Sequence, residues 1–180
     1  MLISTIPMLG LALILVGFTH TTSQPQKEVV TEKINWISIE DAIAAADKDG
    51  KKILVDFYTD WCGWCKKMDK DTYTNAEIIK YLNKNYHAVK FNAEQKGEIT
   101  LKGRTFKYVP NGRRGYHELA ATALGGRLSY PSTVFFDSQF NMLTNVPGYQ
   151  NSRDMLVIIS YLGEDAYKNT PFNVYKENFK

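Results

Sequence analysis

Residues 53–58 read Ile-Leu-Val-Asp-Phe-Tyr, a mainly apolar run with β-branched Ile53 and Val55 that ends four positions before Cys62, and the only other cysteine, Cys65, follows three positions later. Bounded by Lys51-Lys52 and Thr59-Asp60, so short a run predicts a strand buried on both faces. Residues 62–70 suit a helix, so the strand delivers the cysteine pair to a helix start. That junction constrains the fold more than any other segment. It also constrains the chemistry, because a bridge between residues three apart restricts the unfolded chain little and is a poor stabiliser. Reactivity is the better reason for the pair.

The flanking pattern extends the strand–helix unit. Ser38, followed by Asp41, predicts a helix N-cap, and residues 43–46 carry that helix to Gly50. Asn75 caps a second helix through Leu82, and residues 86–92 read as another buried strand, which gives a βαβ order and favours parallel pairing. Residues 95–118 interrupt this order. There Ile99, Leu101, Phe106 and Tyr108 flank Lys102-Gly103-Arg104 as in a short hairpin, and Pro110-Asn111-Gly112 makes a turn. Residues 116–124 predict a helix ended by Gly125-Gly126. Residues 132–136 and 142–146 predict an antiparallel hairpin, and Asn151 or Ser152 caps a last main helix stopped by Gly163. Thr170-Pro171 starts one more short helix, with Pro at its first position.

Composition bounds the remaining choices. Of 180 residues, 44% are hydrophobic, and the formal net charge is +3, carried beyond residue 23 because residues 1–23 hold no Asp, Glu, Lys or Arg. A balance this mild argues against nucleic acid, which calls for a dense basic face. The apolar run at residues 9–18, followed by the polar residues 19–27, has the architecture of a secretory signal peptide. It predicts a signal over residues 1–23 and a folded domain over residues 30–180 outside the cytoplasm, periplasmic or otherwise extracytoplasmic. The run is short for a bilayer span, and an uncleaved membrane anchor is the alternative. Export usually brings scattered cysteine pairs, and this chain has none beyond Cys62 and Cys65.

A thiol acts as a nucleophile only when ionised, and a helix N-terminus offers the first of two such thiols free N–H groups and a partial positive charge. Cys62 is the predicted attacker. Cys65, one turn deeper, is placed to resolve a mixed disulfide by attacking Cys62. A zinc site needs four ligands as a rule, and there is no second CxxC or spaced Cys-His pair to supply them. His87 and His117, the histidines that follow residue 23, read as surface or interface residues and not as ligands.

The run Ile53-Leu54-Val55-Asp56-Phe57-Tyr58-Thr59-Asp60-Trp61-Cys62-Gly63-Trp64-Cys65-Lys66 resembles the thioredoxin active-site segment. Residues 89–94 are similar to the next strand of that family, and Tyr130-Pro131-Ser132-Thr133-Val134-Phe135-Phe136 resembles its cis-proline strand. Three segments in the right order carry the resemblance over residues 30–163. It implies an α/β thioredoxin-like fold, a central mixed sheet flanked by helices, with an insertion at 95–118 and a C-terminal extension at 164–180. Trp64 stands where small thioredoxins have proline. In these departures the chain looks like exported bacterial thioredoxin-like proteins.

The resemblance also implies roles. Asp56 becomes a buried proton acceptor for Cys65, and Lys90 tunes it, the alternative for Lys90 being a snorkelling surface lysine. Pro131 becomes a cis-proline beside the CxxC, against the plainer reading of a strand-start proline. The backbone of Tyr130 then pairs with an extended substrate. Trp61, Gly63 and Trp64 form the contact surface for the partner, although Trp61 also suits packing against the sheet.

The function these readings favour is exchange of disulfides with client proteins, without a cofactor. Gly63-Trp64 supplies no cation to hold the thiolate, which points to a reductant that draws on a membrane electron donor. Two other classes compete. One is a binding module that uses the groove or the basic 95–118 insertion, with Arg104, Lys107, Arg113 and Arg114. The other is a soft-metal carrier, disfavoured by the lack of a Met-rich segment or nearby histidine.

Overall fold

The computed structural model describes residues 32–179. The signal expected over residues 1–23 lies outside the described residues. In chain order the elements are β1 (Trp36–Ile37), α1 (Ile39–Asp49), β2 (Lys52–Tyr58), α2 (Gly63–Asp71), α3 (Ala76–Asn85), β3 (Tyr86–Asn92), β4 (Ile99–Leu101), β5 (Arg104–Phe106), β6 (Tyr108–Asn111), β7 (Arg114–His117), α4 (Glu118–Ala123), β8 (Ser132–Phe136), β9 (Met142–Pro147) and α5 (Ser152–Gly163). A 3₁₀ turn (Ala166–Lys168) and α6 (Phe172–Asn178) follow.

The predicted caps have physical counterparts. Ser38 Oγ accepts from the Asp41 amide at 3.0 Å, and Gly50, at φ 74°, closes α1 in the left-handed region that favours glycine. Asn75 Oδ1 accepts from the Glu77 and Ile78 amides at 3.0 and 3.2 Å, and Asn151 Oδ1 accepts from the Asp154 amide at 2.9 Å. Pro171 stands at the N-cap of α6, one position before the first helical residue.

Five strands form one sheet in the order β1-β3-β2-β8-β9, with β1, β3 and β2 parallel and β8 and β9 antiparallel to their neighbours. β2 is therefore paired on both edges. Because side chains alternate across a strand, the parity of β2 sorts its residues between two cores. Ile53, Val55 and Phe57 join Val89, Phe91, Val134 and Phe136 in the core under α1 and α4. Leu54 joins Ala88, Phe135, Met68, Ile78, Leu82 and Ile159 in the core under α2, α3 and α5. Asp56 shares the parity of Leu54 and so enters the second core.

The insertion departs from expectation in two respects. Residues 108–117 form a second hairpin, β6 with β7, pairing Tyr108 with His117 and Val109 with Tyr116. The helix predicted from residue 116 therefore starts at Glu118, because Tyr116 and His117 are held in the strand ladder. His117 is a second correction. It is fully buried, caps α4 by accepting from the Leu119 amide at Nδ1, and lies 2.9 Å from the Gly97 carbonyl at Nε2. The first hairpin is also no loose appendage, since Ile99, Leu101 and Phe106 are buried in the core under α1 and α4.

The two-sided core makes a contrast that can be measured. Phe135 is fully buried and meets Tyr86 edge-on, whereas Phe172 at the start of α6 is 39% exposed. Phe135→Ala is expected to cost about 3–5 kcal/mol in denaturant unfolding and Phe172→Ala less than about 1.5 kcal/mol. Equal losses would mean that α6 is as much a part of the core as β8.

Candidate active site

The turn after β2 places the cysteine pair. The Cys62 amide donates to the Thr59 carbonyl at 3.1 Å, and Cys62 is itself the N-cap of α2, its Sγ accepting from the Cys65 amide at 3.1 Å. Cys62 and Cys65 are joined as a disulfide with Cα atoms 5.3 Å apart, and both residues are buried. Around them the surface is apolar and open: Trp61 and Trp64 are 50% and 60% exposed, and Gly63 is exposed.

Two loops frame the pair. The Tyr130–Pro131 peptide is cis. The Tyr130 ring meets Trp61 edge-on with centroids 6.2 Å apart, which sets the proline loop beside the residue preceding Cys62. Burial, followed by the charge of Glu94, pushes the Tyr130 hydroxyl up to about 12. On the other side the loop between β9 and α5 docks on α2. Tyr149 packs against Trp64 at 5.5 Å, and the Gln150 carbonyl accepts from Thr72 Oγ1 at 2.6 Å.

Beneath α2, strand register assembles a polar row. Asp56 pairs with Lys90 on β3 and with Thr133 on β8. Lys90 Nζ donates to Asp56 Oδ2 at 2.7 Å and also to Asp69 Oδ1 of α2. The same ammonium lies over the rings of Trp36, Tyr58 and Tyr73 at 5.5, 5.2 and 5.1 Å. Trp36, Tyr73, Lys90 and Asp69 line a pocket of about 580 Å³, and Asp69 is 45% exposed, so solvent comes within two charged groups of Asp56. Asp56 itself has no exposed surface, and its Oδ1, the Tyr73 hydroxyl and the Thr133 hydroxyl are buried without hydrogen-bond partners.

These surroundings set the direction of each titration. Burial raises the Asp56 pKa above the usual carboxylate value, and the Lys90 charge only partly opposes it. For Lys90 burial acts to lower the pKa, but Asp56 and then Asp69 outweigh it, and Lys90 stays protonated. Tyr73 is raised well above its ordinary value, first by burial and then by the Asp56 charge.

The sequence-predicted residues thus fall into two neighbourhoods. Cys62, Trp61, Gly63, Trp64, Tyr130 and Pro131 share the open face, whereas Asp56 and Lys90 share the buried row. Asp69, Tyr73, Glu94 and Tyr149 were not singled out as site residues, and Arg114 was named only as part of the basic insertion. Asp69 had a readable signal, since it lies seven positions after Cys62, two helical turns along the same face. Lys67, the nearest basic residue but one after Cys65, is paired with Asp71 and lies over the Tyr149 ring. His87 bonds Asp49 at 2.9 Å, and no cluster of three or more metal-ligating side chains occurs among the described residues.

A five-stranded mixed sheet with helices on both faces, a CxxC at a helix start and a cis-proline beside it define a thioredoxin-fold protein. The chain belongs to the thioredoxin-like domain family, whose model matches residues 39–163. It is 28% identical over 136 residues to the thiol:disulfide interchange protein DsbD of Colwellia psychrerythraea, a match that covers 76% of this chain and 19% of that protein. The chain therefore spans about a fifth of the length of that relative. Among solved structures, a thioredoxin-fold protein from Helicobacter pylori superposes with a TM-score of 0.56 at 20% identity, covering 71% of this chain and 83% of the other. The DsbH oxidoreductase superposes with a TM-score of 0.54 at 20% identity, covering 82% and 94%. At these identities the structures establish the fold.

The buried acid leads to a stability test. With its folded pKa above the unfolded value of about 3.9, Asp56 makes the folded protein hold its proton to higher pH than the unfolded chain does. Stability then falls as pH rises from about 4 through the folded pKa, and the penalty is constant above it. Asp56→Asn removes the penalty while Asp69 still pairs with Lys90. The variant is expected to be more stable than wild type at pH 7, by on the order of 1 kcal/mol, with the gap closing below about pH 4. Denaturant unfolding across pH checks it; a gap that does not change with pH contradicts the account.

Proposed function

We propose that this chain is an exported thiol:disulfide oxidoreductase that exchanges disulfides with client proteins through Cys62 and Cys65, running chiefly as a reductant. The observation that carries the reading is Cys62 at the N-cap of α2, bonded to Cys65 and bordered by two exposed tryptophans and the cis-proline loop. The relatives named as thiol:disulfide interchange proteins support the same chemistry. Export rests on the apolar run at residues 9–18.

In the reduced enzyme the Cys62 thiolate attacks one sulfur of a client disulfide. A mixed disulfide forms and the other client sulfur leaves as a thiolate. Cys65 gives its proton to Asp56, whose raised proton affinity suits it as acceptor, and attacks Cys62 Sγ. The second client thiolate leaves, and the Cys62–Cys65 bridge seen in the structure remains. The client gains two electrons, which the dithiol supplies, and a membrane electron donor restores the dithiol. Asp56 later loses this proton to solvent, which reaches the pocket lined by Lys90 and Asp69, and the Lys90 ammonium stabilises the carboxylate that forms. The extended client pairs with the backbone at Tyr130 while Trp61, Gly63 and Trp64 cover its apolar side.

Cys65→Ala is expected to accumulate clients as mixed disulfides on Cys62, and Cys62→Ala none, as read by non-reducing electrophoresis. Capture by Cys62→Ala alone would reverse the roles. For direction, wild type is expected to reduce insulin and to equilibrate nearer thioredoxin's potential, about −270 mV, than the roughly −120 mV of a strong oxidant. A potential above about −150 mV would make the protein an oxidant.

A further inference from the structure

Trp61 is held on three sides, and one of them belongs to the insertion. Its indole Nε1 donates to Glu94 Oε1 at 2.9 Å, its ring edge meets Tyr130, and the Arg114 guanidinium lies over its ring with Cζ 4.3 Å from the centroid. Arg114 opens β7, and Arg113 precedes it in the exposed turn of the β6–β7 hairpin. The hairpin thus brings Arg114 to the residue adjacent to Cys62, with Arg113 next to it in the exposed turn, though both lie about fifty positions away in sequence.

Three features separate this arginine from an ordinary solvated charge. Contact with the indole face at 4.3 Å restrains the Arg114 side chain, so less rotamer freedom is left to lose on binding, and among the described residues its guanidinium makes no side-chain hydrogen bond. Among the described residues neither Arg113 nor Arg114 forms an ion pair with a carboxylate. The nearby acids are engaged elsewhere: Glu94 with Trp61, Asp60 with Asn92, and Glu98 with Lys107. The hairpin is also built to hold its place. A Cβ on Gly115 would run into the Tyr108 ring and the Val109 carbonyl, so Tyr108 lies directly over Gly115, and Lys96 lies over Tyr108 at 5.8 Å. By contrast, Arg104 of the first hairpin is stacked on its own neighbour Phe106 and Lys102 reaches the Gln139 carbonyl, away from the cysteines.

We propose that Arg113 and Arg114 of the β6–β7 hairpin form a specificity site for client segments that carry a carboxylate close to the disulfide cysteine. The proposal rests on the oxidoreductase reading above and deepens it by naming the client chemistry. A client held in exchange with Cys62 passes beside Trp61. An Asp or Glu within about three residues of its attacked cysteine meets a planar donor already in position, and a Lys or Arg there meets like charge.

The test uses three peptides, each with one intramolecular disulfide and identical except for Glu, Gln or Lys beside the cysteines. Reduction by the reduced full-length protein is followed at low and high ionic strength. At low salt kcat/KM is expected to rank Glu above Gln above Lys, with about 3- to 10-fold between Glu and Gln, and the spread is expected to shrink as salt is raised to 0.5 M. Arg113→Glu combined with Arg114→Glu should invert the ranking, whereas Arg114→Lys, which keeps the charge but not the planar stack, should retain a reduced preference for Glu. Equal rates for the three peptides in the wild type, or a preference that survives the double charge reversal in a variant that unfolds cooperatively, overturn the specificity site while leaving disulfide reduction intact. Failure to reduce even the Gln peptide would overturn the oxidoreductase reading and this proposal together.

Discussion

β2 is hydrogen-bonded to a strand on each side and covered by helices on both faces, and the rest of the molecule is arranged around that constraint. A strand in this position has no exposed edge and no solvated face, so its alternation assigns each residue to one of two cores without slack. A one-residue slip against β3 would carry Asp56 into the apolar cluster of Ile53, Val55 and Phe57 and break its alignment with Lys90. The same strand ends one short turn before Cys62. Register in the sheet and placement of the cysteines are therefore a single choice, and the core that fixes the first also fixes the second.

The polar row under α2 is the part of this core that conflicts with burial. A carboxylate without exposed surface is destabilising unless paired, and the pairing here is incomplete, with one oxygen bonded to Lys90 and the other without a partner. Lys90 is in turn shared with Asp69, so two acids compete for one ammonium. That competition lessens what Lys90 gives to Asp56, in keeping with an Asp56 pKa that remains raised despite an ammonium at 2.7 Å. A structure selected for stability alone would place an apolar residue at position 56. The acid there instead leaves the fold with a buried group whose proton affinity is raised, which is the observation behind the acceptor role proposed above.

How much of this was legible in the sequence follows from the range of each signal. The caps at Ser38 and Asn75, the buried strands around residues 53–58 and 86–92 and the hairpin at 132–146 rest on neighbours within a few positions, and they are readable for that reason. β1 is two residues long and has no period to detect. The start of α4 was misplaced because Tyr116, Leu119 and Ala120 have helical spacing, while the strand pairing that holds Tyr116 comes from Val109 across a turn. His117 carries no local sign of burial, because its partners are the Gly97 carbonyl and the ring of Phe91. Asp56 and Lys90 were readable only with the family resemblance, since their contact depends on the register of two strands 34 positions apart.

The two hairpins of the insertion pack in different places. Its first hairpin contributes Ile99, Leu101 and Phe106 to the core under α1 and α4, on the opposite side of the sheet from the Asp56 row. Its second hairpin reaches Trp61 through Arg114. The buried row lies on the side of the core under α2, α3 and α5, as does Tyr149 behind Trp64, whereas Tyr130 beside Trp61 packs against the core under α1 and α4. Trp61 joins the hairpin to the cysteine pair: it is one residue from Cys62 in the chain, and it is held in space by Glu94, Tyr130 and Arg114. The insertion therefore ends on the residue next to Cys62, and its exposed arginine stands at the edge of the cysteine pair because the β6–β7 ladder and the Trp61 ring hold it there.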